Sequence, residues 1–227
     1  MTSQAETSFL KNCEDIDELL KIHTEITDEA PGRRRKLGAL RNSVIVLLTA
    51  FWEAFCEDLT AEAVQHIVAH APNARALPVE LRKQIAKEVA DPKNNNLAAW
   101  ELADDGWRSV LVSRLERLQE QRNRKLNTPK TQQINDLFHD ALGVEKISES
   151  WHWTMMDAHR AAEKLDEYIT IRHEVAHRGN SADRIWRYDV NEYYTHIWHL
   201  VEHTAAETAR VLTDVTGVAP WPGESAE

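Results

Sequence analysis

Apolar residues recur at three- and four-residue spacings along most of this chain, as in helices that each bury one face. Between about Ser3 and Thr27 the stripe is Phe9, Leu10, Ile16, Leu19, Leu20, Ile22 and Ile26, with acids interleaved, and Pro31-Gly32 ends it. A longer helical pattern runs from about Arg35 to Ala71. Its middle, from Val44 to Phe55, is apolar nearly all round, which predicts a central helix buried against several neighbours. Pro72 and Pro78 then bracket a loop, Val79 to Ala90 reads as a short helix stopped at Asp91-Pro92, and Asn94 to Asn96 make a polar turn.

From Leu97 to about Arg124 the spacing predicts a further helix, with Trp100, Trp107, Val110, Leu111, Leu115 and Leu118 inward and Gly106 as a point of break or kink. A helix from Thr131 through Leu142, capped by Gly143, follows, and then a short irregular piece, ISESWHW. Two long helices complete the pattern. One runs from about Thr154 to His177 and buries Ala158, Ala161, Leu165, Tyr168, Ile169 and Val175, with Gly179 placed to cap it. The other runs from about Val190 to Val215 and buries Tyr194, Ile197, Trp198, Val201, Ala205 and Val211. No convincing strand, repeat or linker interrupts the series. The expectation is a single all-α bundle of six to seven helices over residues 1–216, with a frayed tail over 217–227.

Composition agrees with that architecture. With 42% hydrophobic residues the 227-residue chain has ample material for a core, and only 7 Gly and 7 Pro are few for the tight turns of a sheet sandwich. The net charge of −10 excludes a chain that coats nucleic acid or a membrane through bulk charge, so any polyanion site must be local. Cys13 and Cys56 lack CxxC spacing, which supports neither a disulfide framework nor a zinc knuckle. The Val44 to Phe55 run contains Glu53 and falls short of the roughly twenty apolar residues a membrane span needs. The opening MTSQAETSF has no basic region followed by an apolar stretch. A cytoplasmic protein without membrane attachment is expected.

The chemistry concentrates in TIRHEVAHRGNS, from Thr170 to Ser181, which packs Arg172, His173, Glu174, His177 and Arg178 together. Read as His173-Glu174-x-x-His177 it is the zinc-peptidase signature, with two histidines one helical turn apart. Such a metal needs a third protein ligand downstream, and Glu192, Glu202, His196, His199 and His203 are the candidates. The motif helix of such peptidases usually lies beneath a substrate-aligning strand, and no strand is expected here. Read as Arg172-x4-His177 it supplies a metal-free ribonuclease instead. Imidazole takes the 2′-OH proton or protonates the leaving 5′-oxygen, and an arginine fork stabilises the phosphate whose charge grows in the transition state. Arginine and histidine near a helix C-terminus also satisfy carbonyls and the dipole with no catalytic role. By composition R-x4-H arises about once in such a chain and H-E-x-x-H about once in twenty, so the zinc match is the rarer coincidence, although frequency alone decides little.

Helix geometry adds a constraint. Five residues turn through roughly 500°, so Arg172 and His177 point roughly 140° apart while His173 and His177 share a face. One copy makes a poor site, and a two-fold dimer would gather two arginines and up to four histidines around one cleft.

Several stretches in order resemble the HEPN superfamily, specifically its RiboL-PSP-HEPN branch. They are VIVLLTAFWEAFCEDL (Val44 to Leu59), NTPKTQQINDLFHDALGV (Asn127 to Val144), SWHW (Ser150 to Trp153) and Arg172-His173-Glu174-Val175-Ala176-His177, followed by Arg178-Gly179. The family motif is an arginine, a polar residue that is often Asn, Asp or His with asparagine the commoner, three or so variable residues and then histidine; this chain has His173 at the polar position. The resemblance implies an all-helical bundle that dimerises about paired motifs and cleaves RNA without a metal or other cofactor, as a toxin or anti-phage effector held in check by an antitoxin or defence-system partner. It assigns Arg172 and His177 as the catalytic pair and leaves His173 to position phosphate, share the acid–base work or stabilise the helix end. Catalytically silent HEPN interaction modules are the alternative, and a zinc hydrolase the third reading.

Weaker signals remain. Arg33, Arg34, Arg35 and Lys36, with Arg178 and the Arg122 to Lys125 run, are candidate RNA contacts, although charge runs are commonly solvated surface. Trp151 and Trp153 suit base stacking or core packing. His196, His199 and His203 share a helical face and read as a partly buried hydrogen-bonded stripe, a border of the cleft or metal ligands.

Overall fold

The segment that is apolar all round becomes the axis of the bundle. In the computed structural model, which describes residues 2–28, 37–91, 98–123, 128–178 and 187–221, it lies in α2 (Leu37–His70). Around it pack α1 (Gln4–Asp28), α4 (Gly106–Asn123), α5 (Thr131–Leu142), α6 (Ala158–Arg178) and α7 (Arg187–Thr216), while α3 (Val79–Val89) lies against α5. The all-α expectation holds. Among the described residues the one β-type pairing is an isolated bridge of Trp153 with Met156, and no helix is long and apolar enough to cross a membrane.

One apolar core runs through the bundle, and aromatic rings join its parts. Trp52 on α2 stacks on Phe55 with centroids 5.8 Å apart and meets Trp151 edge-on at 5.9 Å. Phe9 of α1 meets Phe55 at 6.0 Å. Trp151 is fully buried, and its indole N–H donates to the Thr204 hydroxyl on α7 at 2.9 Å, so it packs the core and presents no face for a nucleobase. Cys13 and Cys56 are both buried, and neither is in a disulfide among the described residues.

Polar contacts fix the helix ends. Ser3 and Glu6 form a reciprocal capping box on α1, the Glu6 N–H donating to Ser3 Oγ at 3.0 Å and the Ser3 N–H to Glu6 Oε2 at 2.7 Å. Glu62 of α2 accepts the Gln4 and Ala5 N–H groups at 3.1 and 2.5 Å, which pins the start of α1 to the far half of α2. Arg108 donates to the carbonyls of Val68 and Ala71, satisfying the C-terminal end of α2 where a cation also suits the dipole. On α5, Asn135 exchanges two hydrogen bonds of 3.0 Å with Ser148, which docks the short 3-10 turn Ile147–Ser150.

The helical pattern predicted from Leu97 breaks at Gly106, as expected of that glycine, into a 3-10 turn, Ala98–Leu102, and α4, which starts at Gly106; two side-chain placements change. A Cβ on Gly106 would overlap the Glu101 carbonyl, so the turn needs glycine there. The break leaves Trp100 outside the bundle and 75% exposed, not in the core, whereas Trp107 is buried. On α7 the buried face runs through Tyr193, Ile197, Leu200, Thr204, Thr208 and Leu212, leaving Trp198 on its shoulder, 41% exposed, beside Phe9. Threonine serves inside because its hydroxyl returns to the helix's own ladder, as Thr208 does to the Thr204 carbonyl at 2.7 Å. Finally, residues 217–221 of the segment expected to fray contact the body. The Val218 carbonyl meets the Thr216 hydroxyl and the His66 ring, and Trp221 packs on the core with a hydrogen bond to Glu62. Residues 222–227 lie outside the described set.

Gly143 closes α5 at φ 74, and a Cβ there would stand 2.7 Å from the Leu81 nitrogen and 2.9 Å from its Cβ. Gly143→Ala is therefore expected to cost about 2 kcal/mol and lower the melting temperature by roughly 4–8 °C in a thermal denaturation experiment.

Candidate functional site

Pairwise contacts set the direction of the three helices that frame the motif. His196 Nε2 on α7 meets the Ala161 carbonyl at 3.1 Å, Lys164 pairs with Glu192, and Tyr168 stacks on Tyr193 at 4.2 Å, so α6 and α7 run antiparallel. The Thr49 and Tyr193 hydroxyls lie 2.8 Å apart and His66 meets Thr216 at 3.2 Å, so α2 runs parallel to α7. The C-terminal turns of α6 therefore lie at the end of the bundle where α2 and α7 begin. The R-x4-H motif occupies those turns.

Arg172 follows Tyr168 by one turn and is half-buried. Burial raises the Tyr193 phenol well above its ordinary pKa, while the Thr49 hydrogen bond and the positive charge of Arg172 pull the other way. The guanidinium thus lies close enough to be felt where α2, α6 and α7 converge. Its Nε is buried with no hydrogen-bond partner among the described residues. Asn42, two turns before Thr49 on the same stripe of α2, and its neighbour Arg41 carry the same defect at Oδ1 and Nε. An unmet buried donor or acceptor costs roughly 1–3 kcal/mol, and three such atoms among the described residues lie on the two helices α2 and α6.

Val175 is 8% exposed and fixes the last turns of α6 to the core. His173 and Glu174 are exposed. His177 and Arg178 belong to α6, but their side chains lie outside the described residues, as do Arg33, Arg34, Arg35, Lys36, Gly179 and the Arg122 to Lys125 run. Thr49, Tyr168, Tyr193, Arg41 and Asn42 were not among the expected site residues. A threonine or tyrosine inside a helix carries no local mark of such a role, since it comes from contacts across more than a hundred residues.

The zinc reading of His173-Glu174-x-x-His177 loses its downstream ligands. His196 contacts Ala161, twelve residues or about 18 Å along α6 before His173, and His199 and His203 lie further off still. Glu192 is held by Lys164. The same register removes these histidines from the border of an R-x4-H cleft. They gather instead around Trp153 and a separate cleft of about 440 Å³ lined by Trp153, Met156, Lys164, Glu192, His196 and His199.

An all-helical bundle that delivers an R-x4-H motif at the end of a long helix, braced by two neighbours, is a HEPN-type domain. The chain belongs to the RiboL-PSP-HEPN family, whose model matches residues 8–208 and so spans both the core helices and the motif. No curated protein and no solved structure matches it. Family membership supports a nuclease or RNA-related function of the HEPN kind in general.

The register also makes an acid-sensitive contact. His196 is 3% exposed between α6 and α7, and its burial lowers the imidazole pKa from 6.5 to about 4 despite the Ala161 carbonyl. A base with a depressed folded-state pKa contributes stability above its unfolded value and loses it as pH falls. Between pH 6.5 and about 4 the wild type should lose up to about 3 kcal/mol through this group. His196→Leu should show a correspondingly shallower fall in urea denaturation across that window.

Proposed function

We propose that this chain is a metal-independent endoribonuclease of HEPN type, acting on RNA in the cytoplasm as a toxin or anti-phage effector under the control of an antitoxin or defence-system partner. The observation that carries the reading is Arg172. It lies in the family's motif, on the helix end that α2 and α7 brace, with a buried guanidinium nitrogen unmet within the described chain. A scissile phosphate is the ligand such a nitrogen suits, because the arginine fork gains most as charge builds on the phosphoryl oxygens.

In this mechanism the 2′-OH attacks the adjacent phosphate, its proton passes to a base, and the leaving 5′-oxygen takes a proton from an acid, leaving a 2′,3′-cyclic phosphate. His177 carries the proton transfer and Arg172 stabilises the phosphate. His173 sits exposed on the face it shares with His177 and is the candidate for the second proton transfer or for holding substrate. Since Arg172 and His177 diverge by roughly 140° on one helix, the working site is a two-fold pair in which motifs from both copies face one cleft. Arg178 and the Arg33 to Lys36 segment then supply phosphate contacts beside it.

Purified protein is expected to cut RNA in the presence of EDTA, leaving cyclic-phosphate ends, and to sediment as a dimer. Arg172→Ala or His177→Ala should lower cleavage by about 10²–10⁴-fold with an unchanged helical spectrum and relieve growth arrest on expression. Cleavage that requires zinc, or that survives both substitutions, overturns the reading. A folded dimer with neither cleavage nor toxicity would make the chain a silent HEPN interaction module.

A further inference from the structure

Six to ten residues along α7 from Tyr193, about 9–15 Å, a second group of side chains is assembled. His199, Glu202 and His203 present ligand atoms that all lie within 4.8 Å of one another. Their i, i+3, i+4 spacing places them on one arc of the helix. The indole of Trp153 lies nearly parallel to both imidazoles, 4.7 Å from His199 and 5.6 Å from His203, at 23° and 24°. Trp153 is itself held by reciprocal backbone hydrogen bonds with Met156 of 3.0 and 2.9 Å, so the rings rest against a fixed wall. The ring of His152, from the same segment, lies 5.9 Å from that of His203.

Two features of this cluster call for a ligand. His199 Nδ1 is buried without a hydrogen-bond partner among the described residues. Glu202 Oε2 stands 3.7 Å from it, too far for a hydrogen bond. Two donors on a tetrahedral zinc with bonds of 2.0–2.1 Å are separated by about 3.4 Å, so a small rotation of the exposed Glu202 side chain brings the pair to metal-binding separation. Two imidazoles with one carboxylate select a borderline transition metal over magnesium or calcium. His199 also lines the cleft beside Trp153, which gives an ion a way in.

We propose that His199, Glu202 and His203 bind a divalent transition-metal ion of the zinc type, with His152 as a fourth ligand. The metal joins α7 to the segment that precedes α6. It braces the register of these helices and takes no part in RNA cleavage, because the cluster lies on the stretch of α7 remote from Arg172. The proposal stands or falls independently of the ribonuclease reading.

The full chain, stripped with chelator and dialysed, is titrated with Zn²⁺ by calorimetry and with Co²⁺ by visible absorption. The expected result is one ion per chain at micromolar affinity or tighter, a tetrahedral Co²⁺ spectrum and a higher melting temperature with Zn²⁺. His199→Ala and His203→Ala should weaken binding at least 100-fold. His152→Ala should weaken it about tenfold, and so should Glu202→Gln, whose exposed position spares the fold. His70→Ala serves as a control, because its ring lies 4.6 Å from that of His66 in a competing histidine pair. Failure to bind Zn²⁺ more tightly than 100 µM, unchanged affinity in Glu202→Gln, or loss of binding in His70→Ala overturns the proposal.

Discussion

A helix apolar over most of its circumference cannot rest against one neighbour, and that constraint on α2 organises the rest of the chain. Trp52, Phe55, Leu59 and Ile67 are all essentially inaccessible, and covering them takes α1, α4, α5, α6 and α7 together. Burial of each large side chain contributes about 1.5–3 kcal/mol, so these four residues alone contribute on the order of 6–12 kcal/mol. The polar devices at its ends work within that frame. Glu62 fastens α1, Arg108 satisfies the last carbonyls of α2, and Thr49 meets Tyr193.

The helices were legible in the sequence because their apolar positions repeat near 3.6 residues and their limits are marked by Pro72, Pro78, Pro92 and Gly143. Reading was poorer where burial depends on something other than apolarity. The inner face of α7 includes Thr204, whose hydroxyl accepts the Trp151 indole N–H, and Thr208, whose hydroxyl donates to the Thr204 carbonyl, so an apolar-only stripe slid sideways onto Trp198. Trp100 was misplaced for a different reason. Its spacing fits a helix, but the close approach of Gly106 to the Glu101 carbonyl turns the chain before that helix can form.

The motif shows the same division. Arg172, His173 and His177 stand out in the sequence as residue types suited to phosphate and proton chemistry. The surroundings of Arg172 do not, because Thr49 and Tyr193 lie 144 residues apart and meet only when α2 and α7 run side by side. The register of α6 against α7 also separates two chemistries that one sequence stripe had left together. The charge of Arg172 is felt at Tyr193, near the start of α7, whereas the α7 histidines further along close around Trp153.

Glu62 has a consequence for how the molecule sits among others. The same carboxylate holds the backbone of Gln4 and Ala5 and the side chain of Trp221, so the two ends of the described chain leave the bundle from one point. That point is twenty residues of α2, or about 30 Å, from Asn42. Contacts made with other molecules at that pole, where Gln4, Ala5 and Trp221 meet on Glu62, would thus leave the approach to Arg172 clear.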